Sequence, residues 1–317
     1  MAGKMSLGTQ VVTPSIDVGE PKIYNVDGYD WLGEVNAEGE LVPSTKELNV
    51  VFNGVKEIDN DILQNKFSGN VVLKSVSFPD LERLVEGCAF YNTFYASTLE
   101  SINFPKLKSI VLDDQELEDC FSRTLIENAY FPELELIGYY SFAFSFDFCD
   151  YLKTFSCPKL KLVKNGGMYQ AFVGCSSLET INFESLEHIE SYGLYGTFFG
   201  TKVKSVSFDS LKVLEVAAFG ECLIDTQIET IRFPLLSVVG SEAFESSFAG
   251  CENLTDIYFD SLDSNSFGDT TDQFWDMLGR CSNVTVHFPV GLDAIIGDWE
   301  DVLAGFSGTN TTILYDL

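Results

Sequence analysis

One unit, L-x-x-[IV]-x-F-[PDE]-x-L-x-x-[ILV], recurs roughly every 26 residues through most of this 317-residue chain. Nine copies superpose on anchors at Phe78, Phe104, Phe131, Cys157 (a substitution), Phe183, Phe208, Phe233, Phe259 and Phe288. Successive spacings are 26, 27, 26, 26, 25, 25, 26 and 29, so insertions never accumulate and the period is structural. A fixed period in this range marks a stacked solenoid, in which each coil buries its apolar side only against its neighbours.

Each coil opens on a short strand, exemplified by residues 101–104. Alternation directs Ile102 and Phe104 inward and Ser101 and Asn103 outward. Pro79, Pro105, Pro132, Pro158 and Pro234 follow the anchor, where a missing N–H ends ladder pairing at little cost. Strands stacked about 4.8 Å apart give nine coils a length on the order of 40 Å.

Stacking turns every repeat position into a column, and three columns are charge-patterned. The first runs Lys74, Glu100, Glu127, Lys153, Glu179, Lys204, Glu229. The second alternates without a break through Glu82, Lys108, Glu135, Lys161, Glu187 and Lys212, and the third runs Asp80, Lys106, Glu133, Lys159. Opposite charges on neighbouring strands gain roughly 0.2–1 kcal/mol and like charges cost. The alternation therefore reads as register-keeping between coils rather than as a charged binding face.

The two outward strand columns are mostly small and polar. One runs Ser77, Asn103, Tyr130, Ser156, Asn182, Ser207, Arg232, Tyr258, His287. Tyr130, Arg232, Tyr258 and His287 stand out as large side chains on a hydroxyl-lined face. Aromatic residues and arginine dominate interface energetics, so these four are the candidate ligand-binding residues. Elsewhere, Tyr139, Tyr140, Phe144 and Phe148 exceed what one coil needs for packing and are candidates for an exposed patch.

Composition removes several functions. A formal charge of −29, from 48 acidic against 19 basic residues, opposes binding to nucleic-acid phosphates or to anionic membrane surfaces. No stretch approaches the roughly 18 apolar residues of a membrane helix, so no membrane insertion is expected. The N-terminus lacks the apolar run of about 7–15 residues of a conventional secretory signal.

Eight cysteines include no C-x-x-C pair, and only His188 and His287 are available to help, so no zinc or other metal site is expected. Cys149, Cys175, Cys251 and Cys281 lie three residues before the next coil's first aliphatic, where a free thiol packs as a small buried hydrophobe. The segment from Asp263 begins like a calcium loop, but Phe267 and Phe274 occupy positions that require oxygen ligands. No cofactor motif and no nucleophile–base constellation is present, and no catalytic residues are expected.

Outside the repeats, residues 1–45 are punctuated by turn residues and read as an N-terminal cap or attachment segment. Residues 46–290 form the solenoid. In 291–317, Leu292, Ile295, Ile296, Trp299, Val302 and Leu303 keep helical spacing before a last strand at 311–315, giving a strand–helix–strand closure.

Two coils carry Ala171-Phe172-Val-Gly174-Cys175-Ser-Ser-Leu178 and Phe248-Ala-Gly250-Cys251-Glu-Asn-Leu254. With L-x-x-I-x-F strands such as Leu99–Phe104, these segments resemble BspA-like leucine-rich repeats over about residues 71–290. The cysteine is lost at 111–125 and 190–202. The resemblance implies a right-handed, β-rich leucine-rich-repeat solenoid of the α/β horseshoe class with little helix. It also implies a non-enzymatic adhesion module, outside the producing cell or on its surface, that binds a protein or glycan ligand. The alternative is a structural component of a phage particle (tail, fibre or decoration protein), docked on an assembly partner through residues 1–45.

Overall fold

The computed structural model describes residues 22–26, 29–35, 41–43, 48–58, 63–85, 90–111, 119–268, 272–293 and 310–317. Over the repeats these residues form a parallel β-solenoid of three-sided coils. The first side carries the expected strands, in three successive parallel sheets. Leu48–Val51, Leu73–Ser77 and Ser101–Asn103 make one, and Asn128–Tyr130, Thr154–Ser156 and Thr180–Asn182 the next. Thr230–Phe233, Asp256–Phe259, Thr285–Phe288 and Thr312–Tyr315 make the third. The strand expected at 311–315 is therefore the last rung of this side. The helix expected before it falls, from residue 294 on, outside the described residues.

The ladder runs up to the anchor and ends at the proline that follows it. The anchor amide still reaches the next coil, as in Phe78 N to Asn103 O (2.9 Å) and Phe131 N to Ser156 O (2.9 Å). Proline follows the anchor, so its missing donor falls one residue after the last rung.

The second side was not anticipated. The repeat's final aliphatic lies in a strand of only two or three residues, and eight of these, from Glu57–Ile58 to Val238–Val239, form one continuous parallel sheet. The third side is built from consecutive turns with a regular division of backbone donors. The amides of Gly166, Met168, Gln170 and Phe172 bond the next coil at Ser191, Gly193, Tyr195 and Thr197 (2.9–3.0 Å). Those of Gly167, Tyr169, Ala171 and Cys175 fold back three residues within their own coil (2.8–3.1 Å). Every fourth residue takes a positive φ, as at Gly166 (61°), Gln170 (50°) and Gly174 (76°). Both sets of donors are satisfied without a helix.

Two columns of rings fill the interior. Phe67, Phe94, Phe121, Phe146, Phe172 and Phe198 form one stack, with successive centroids 5.0–5.7 Å apart. The anchors form the other, for example Phe208–Phe233 at 5.6 Å and Phe233–Phe259 at 5.4 Å. At Cys157 the anchor stack breaks, and the missing volume is supplied two residues earlier. Phe155 replaces the usual aliphatic and contacts Phe131 (5.9 Å) and Phe183 (6.1 Å). Offset ring pairs of this kind contribute about 0.5–1.5 kcal/mol beyond their buried area.

Seven cysteines are buried free thiols, and Cys88 lies outside the described residues. The recurring ones are more than apolar filler. The Sγ atoms of Cys149, Cys175, Cys251 and Cys281 donate to the carbonyls of Phe121, Phe146, Leu223 and Phe248, one coil back, at 2.9–3.0 Å. Where the cysteine is lost in the coil of 190–202, the Thr201 hydroxyl bonds Phe198 O at 2.9 Å. The thiol adds a second donor to a carbonyl that already accepts the amide three residues on in its own turn, and so ties one coil to the next, whereas Thr201 bonds within its own coil.

The charged columns pair between adjacent coils. Lys106–Asp80 (2.8 Å), Lys108–Glu82 (3.2 Å), Lys153–Glu127 (2.9 Å), Lys159–Glu133 (2.7 Å) and Lys212–Glu187 (2.7 Å) all bridge one coil to the next. Lys74 pairs with Glu100 in the same manner. The hydrogen bond and charge of Lys212 hold the Glu187 carboxyl below its ordinary range.

Before the solenoid, Lys22–Val26, Tyr29–Val35 and Leu41–Pro43 make a separate three-stranded antiparallel sheet. Among the described residues no ladder joins it to the solenoid's sheets.

Candidate binding face

The first side presents its outward columns to solvent, and most of that surface is bonded within itself. Ser75 Oγ donates to Asn49 Oδ1 (2.5 Å), Asn103 Nδ2 to Ser77 Oγ (3.0 Å) and Thr154 Oγ1 to Asn128 Oδ1 (2.7 Å). These rungs keep the face soluble and tie each coil to its neighbour. An open hollow of about 330 Å³ on this face is bordered by Lys153, Thr154, Ser177, Glu179, Thr180 and Lys202.

The structure joins three of the four candidate residues and separates the fourth. Strand register puts Arg232 beside Tyr258, Tyr258 beside His287, and His287 beside Leu314. The Tyr258 and His287 rings stack at 4.3 Å with planes 12° apart. The Arg232 guanidinium lies over the Tyr258 ring, 5.1 Å from its centroid. Tyr130, 56 % exposed, borders Ser156 instead. Four coils at about 4.8 Å each put it roughly 19 Å from Arg232 along the axis.

Three aspartates that the repeat pattern did not single out fix this ladder. Arg232 Nε donates to Asp260 Oδ2 at 2.8 Å, and its Nη2 meets the other carboxylate oxygen. His287 Nε2 lies 3.1 Å from Asp256 Oδ1, and Nδ1 lies 3.0 Å from Asp316 Oδ1. With a carboxylate on each ring nitrogen, the imidazole is held as a double donor. Burial pulls its pKa down, the two carboxylates push it up, and the outcome lies above the ordinary value. Asp260 occupies the position after the anchor, where six of the nine coils carry proline, and an acid there one coil after Arg232 was the signal in the sequence.

The ladder can do two things chemically. It offers a rigid guanidinium–arene–imidazolium edge at small further entropic cost, because its rotamers are already fixed. It also presents carboxylates beside the cations, so a ligand with both donors and acceptors finds partners.

The profile of the BspA type leucine-rich repeat region matches residues 51–160 and 116–254, in six copies. No curated protein matches the chain. Among solved structures, the chain is similar to a leucine-rich repeat protein from Bacteroides ovatus, with 18 % identity over 84 % of this chain and 83 % of that one and a TM-score of 0.30. It is similar to a leucine rich cell surface protein from Faecalibacterium prausnitzii, with 16 % identity, coverage of 94 % and 96 %, and a TM-score of 0.21. It is also similar to the pneumococcal vaccine antigen PcpA, with 14 % identity, coverage of 97 % and 100 %, and a TM-score of 0.25.

Proposed function

This chain belongs to the BspA-type leucine-rich repeat family, and we propose that it is a non-enzymatic recognition module that binds a protein or glycan outside the producing cell. The solenoid, residues 46–290 with the closure at 291–317, displays the outward strand face, and the ladder of Arg232, Tyr258 and His287 is its anchor. One observation carries this reading: three large side chains on successive coils, of the residue types that dominate interfaces, are pre-organised on an otherwise hydroxyl-lined surface. Tyr130 is a separate, peripheral contact for a ligand long enough to span four coils. Placement outside the cell follows from the family resemblance.

A screen against a glycan array and a panel of cell-surface proteins identifies the ligand. Tyr258→Ala combined with Arg232→Ala then weakens that binding about tenfold while circular dichroism stays unchanged. Undiminished binding by the double variant sinks the assignment.

A second reading, attachment within a phage particle through residues 1–45, is favoured by one feature, an antiparallel sheet that no ladder among the described residues connects to the solenoid. If deletion of residues 1–45 abolishes association while the double variant does not, the solenoid face is scaffold and this second reading replaces the first.

A further inference from the structure

The turn side carries a second surface, independent of the strand face. Its columns are defined by the amide bonds between coils, which align Tyr140 with Gly166, Tyr192, Ala217 and Glu242. The same bonds align Phe144 with Gln170, Gly196 and Glu221, and Tyr169 with Tyr195, Gly220 and Glu245. Each column thus runs from aromatic side chains to a carboxylate as it passes from coil to coil.

The aromatic end is continuous. Tyr139 meets Tyr140 at 4.8 Å, Phe144 meets Tyr169 at 5.6 Å, and Tyr169 stacks on Tyr195 at 5.5 Å with planes 8° apart. Tyr192 meets Tyr195 at 5.8 Å. Glycines let the rings lie flat on the next coil. A Cβ at Gly166 would come within 2.5 Å of the Tyr140 ring, and one at Gly220 within 2.8 Å of the Tyr195 ring. Tyr139 and Tyr192 remain 39 % and 38 % exposed, so the ledge is half in water although nothing packs over it among the described residues.

The acidic end lacks the compensation seen on the other two sides. There, lysines pair with the carboxylates coil by coil. Glu221, Glu242 and Glu245 take part in none of the ion pairs found among the described residues. Burial, with the charges of Glu242 and Glu221, pushes the Glu245 carboxyl up. Glu221 is bonded to the Tyr195 hydroxyl, which links the two ends.

We propose that this ledge docks an arginine- or lysine-bearing segment of a protein partner, its cations seated between the tyrosine rings and the three glutamates. Flat arenes attract guanidinium and ammonium groups, and uncompensated carboxylates beside them supply the opposite charge. The net charge of −29 draws a basic partner to the whole molecule, and the ledge is where rings meet carboxylates that no cation pairs among the described residues.

A short fluorescein-labelled peptide alternating arginine and serine serves as the probe, measured by anisotropy near physiological ionic strength. Tyr139→Ser with Tyr192→Ser, which leaves the net charge unchanged, should weaken binding about tenfold. Glu242→Gln with Glu245→Gln should do the same, whereas Glu184→Gln with Glu252→Gln, an equal charge change elsewhere, should leave it intact. Circular dichroism confirms that each variant is folded. Equal loss in the two glutamine pairs, or none in the tyrosine pair, reduces the effect to bulk charge and overturns the proposal. Loss confined to Tyr258→Ala with Arg232→Ala moves the peptide to the strand face, which refutes the ledge and leaves the proposed function standing.

Discussion

The ring of His287 lies flat against that of Tyr258, 4.3 Å away, on adjacent strands of the outward face. The same imidazole is held edgewise between Asp256 and Asp316, so one side chain couples the third-last, second-last and last strands of that face.

That clamp has a defined pH window. His287 has a raised pKa, so its contribution is full below the unfolded value of 6.5 and is lost as pH rises through the folded value. For Asp256, burial raises the pKa, but the hydrogen bonds from His287 and Thr255 and the charge of His287 together outweigh it. Its contribution is present above the unfolded value of 3.8 and is lost as pH falls through the folded value. The clamp is therefore worth most between those two unfolded values. The melting temperature of the parent should exceed that of His287→Gln chiefly in that window, and the difference should shrink as pH rises through the folded value. A constant offset at all pH values would assign His287 to packing alone.

Lys161 lies 3.8 Å from Glu135, and its charge also acts on Glu187 from the other side. Reversing it in Lys161→Glu sets three acids in a row along the solenoid. Exposed pairs are individually weak, so the expected fall in Tm is about 2–4 °C at low salt, shrinking as salt is added. A parent-like melt at low salt counts against register-keeping as the role of these columns.

Architecture was legible in the sequence because every coil repeats one strand with one large ring, and the anchor spacing alone gave nine rungs. The charge columns were legible for the same reason: stacking converts a period of 26 into contact between lysine and acid. The second side was hidden because strands as short as His188–Ile189 carry one inward residue and leave no alternation to read. The third side contradicts local propensity, with Tyr140, Phe144 and Phe148 all at φ near 50°. Such conformations cost an L-residue roughly 1–2 kcal/mol and are imposed by the coils above and below. Of the candidate site, the large residues were visible, but their pairing with aspartates was not, because Asp256 lies in one strand column and Asp260 and Asp316 in the column after the anchor, neither of them the column of the large residues.

Glycine packing can be separated from glycine strain. Gly166 and Gly200 both take positive φ, 61° and 69°, on the turn side. A Cβ at Gly200 meets nothing within 4 Å, whereas one at Gly166 meets the Tyr140 ring at 2.5 Å. Gly200→Ala should cost about 1 kcal/mol from backbone strain alone. Gly166→Ala should cost about twice that or more in urea unfolding, since the ring must lift as well. Equal losses would show that Tyr140 does not depend on the coil beneath it.

Burial pushes the Cys251 thiol up to about 12 and the Cys149 thiol to about 11. Folding thus favours the protonated form, and the associated stability is full below the ordinary thiol value of 9.0 and lost as pH climbs past it. Stability should decline with pH between about 9 and 11, and less steeply in Cys149→Ser with Cys251→Ser. In the same vein, a thiol reagent should label few cysteines at neutral pH in the native state and most after denaturation without reductant. Mass spectrometry finding Cys149 joined to Cys175 would overturn the free-thiol assignment.

On the turn side, half the backbone donors belong to the next coil, so no coil closes its own circumference. Such a chain unravels from its two ends, because an interior coil that opened would orphan donors on both flanks at once. Damage near the middle, for instance at Phe172, would leave two shorter stacks, each with a raw apolar end. A protease should then trim the molecule inward in steps of one repeat, and the fragments it leaves would differ by the same 25 to 29 residues that separate the anchors.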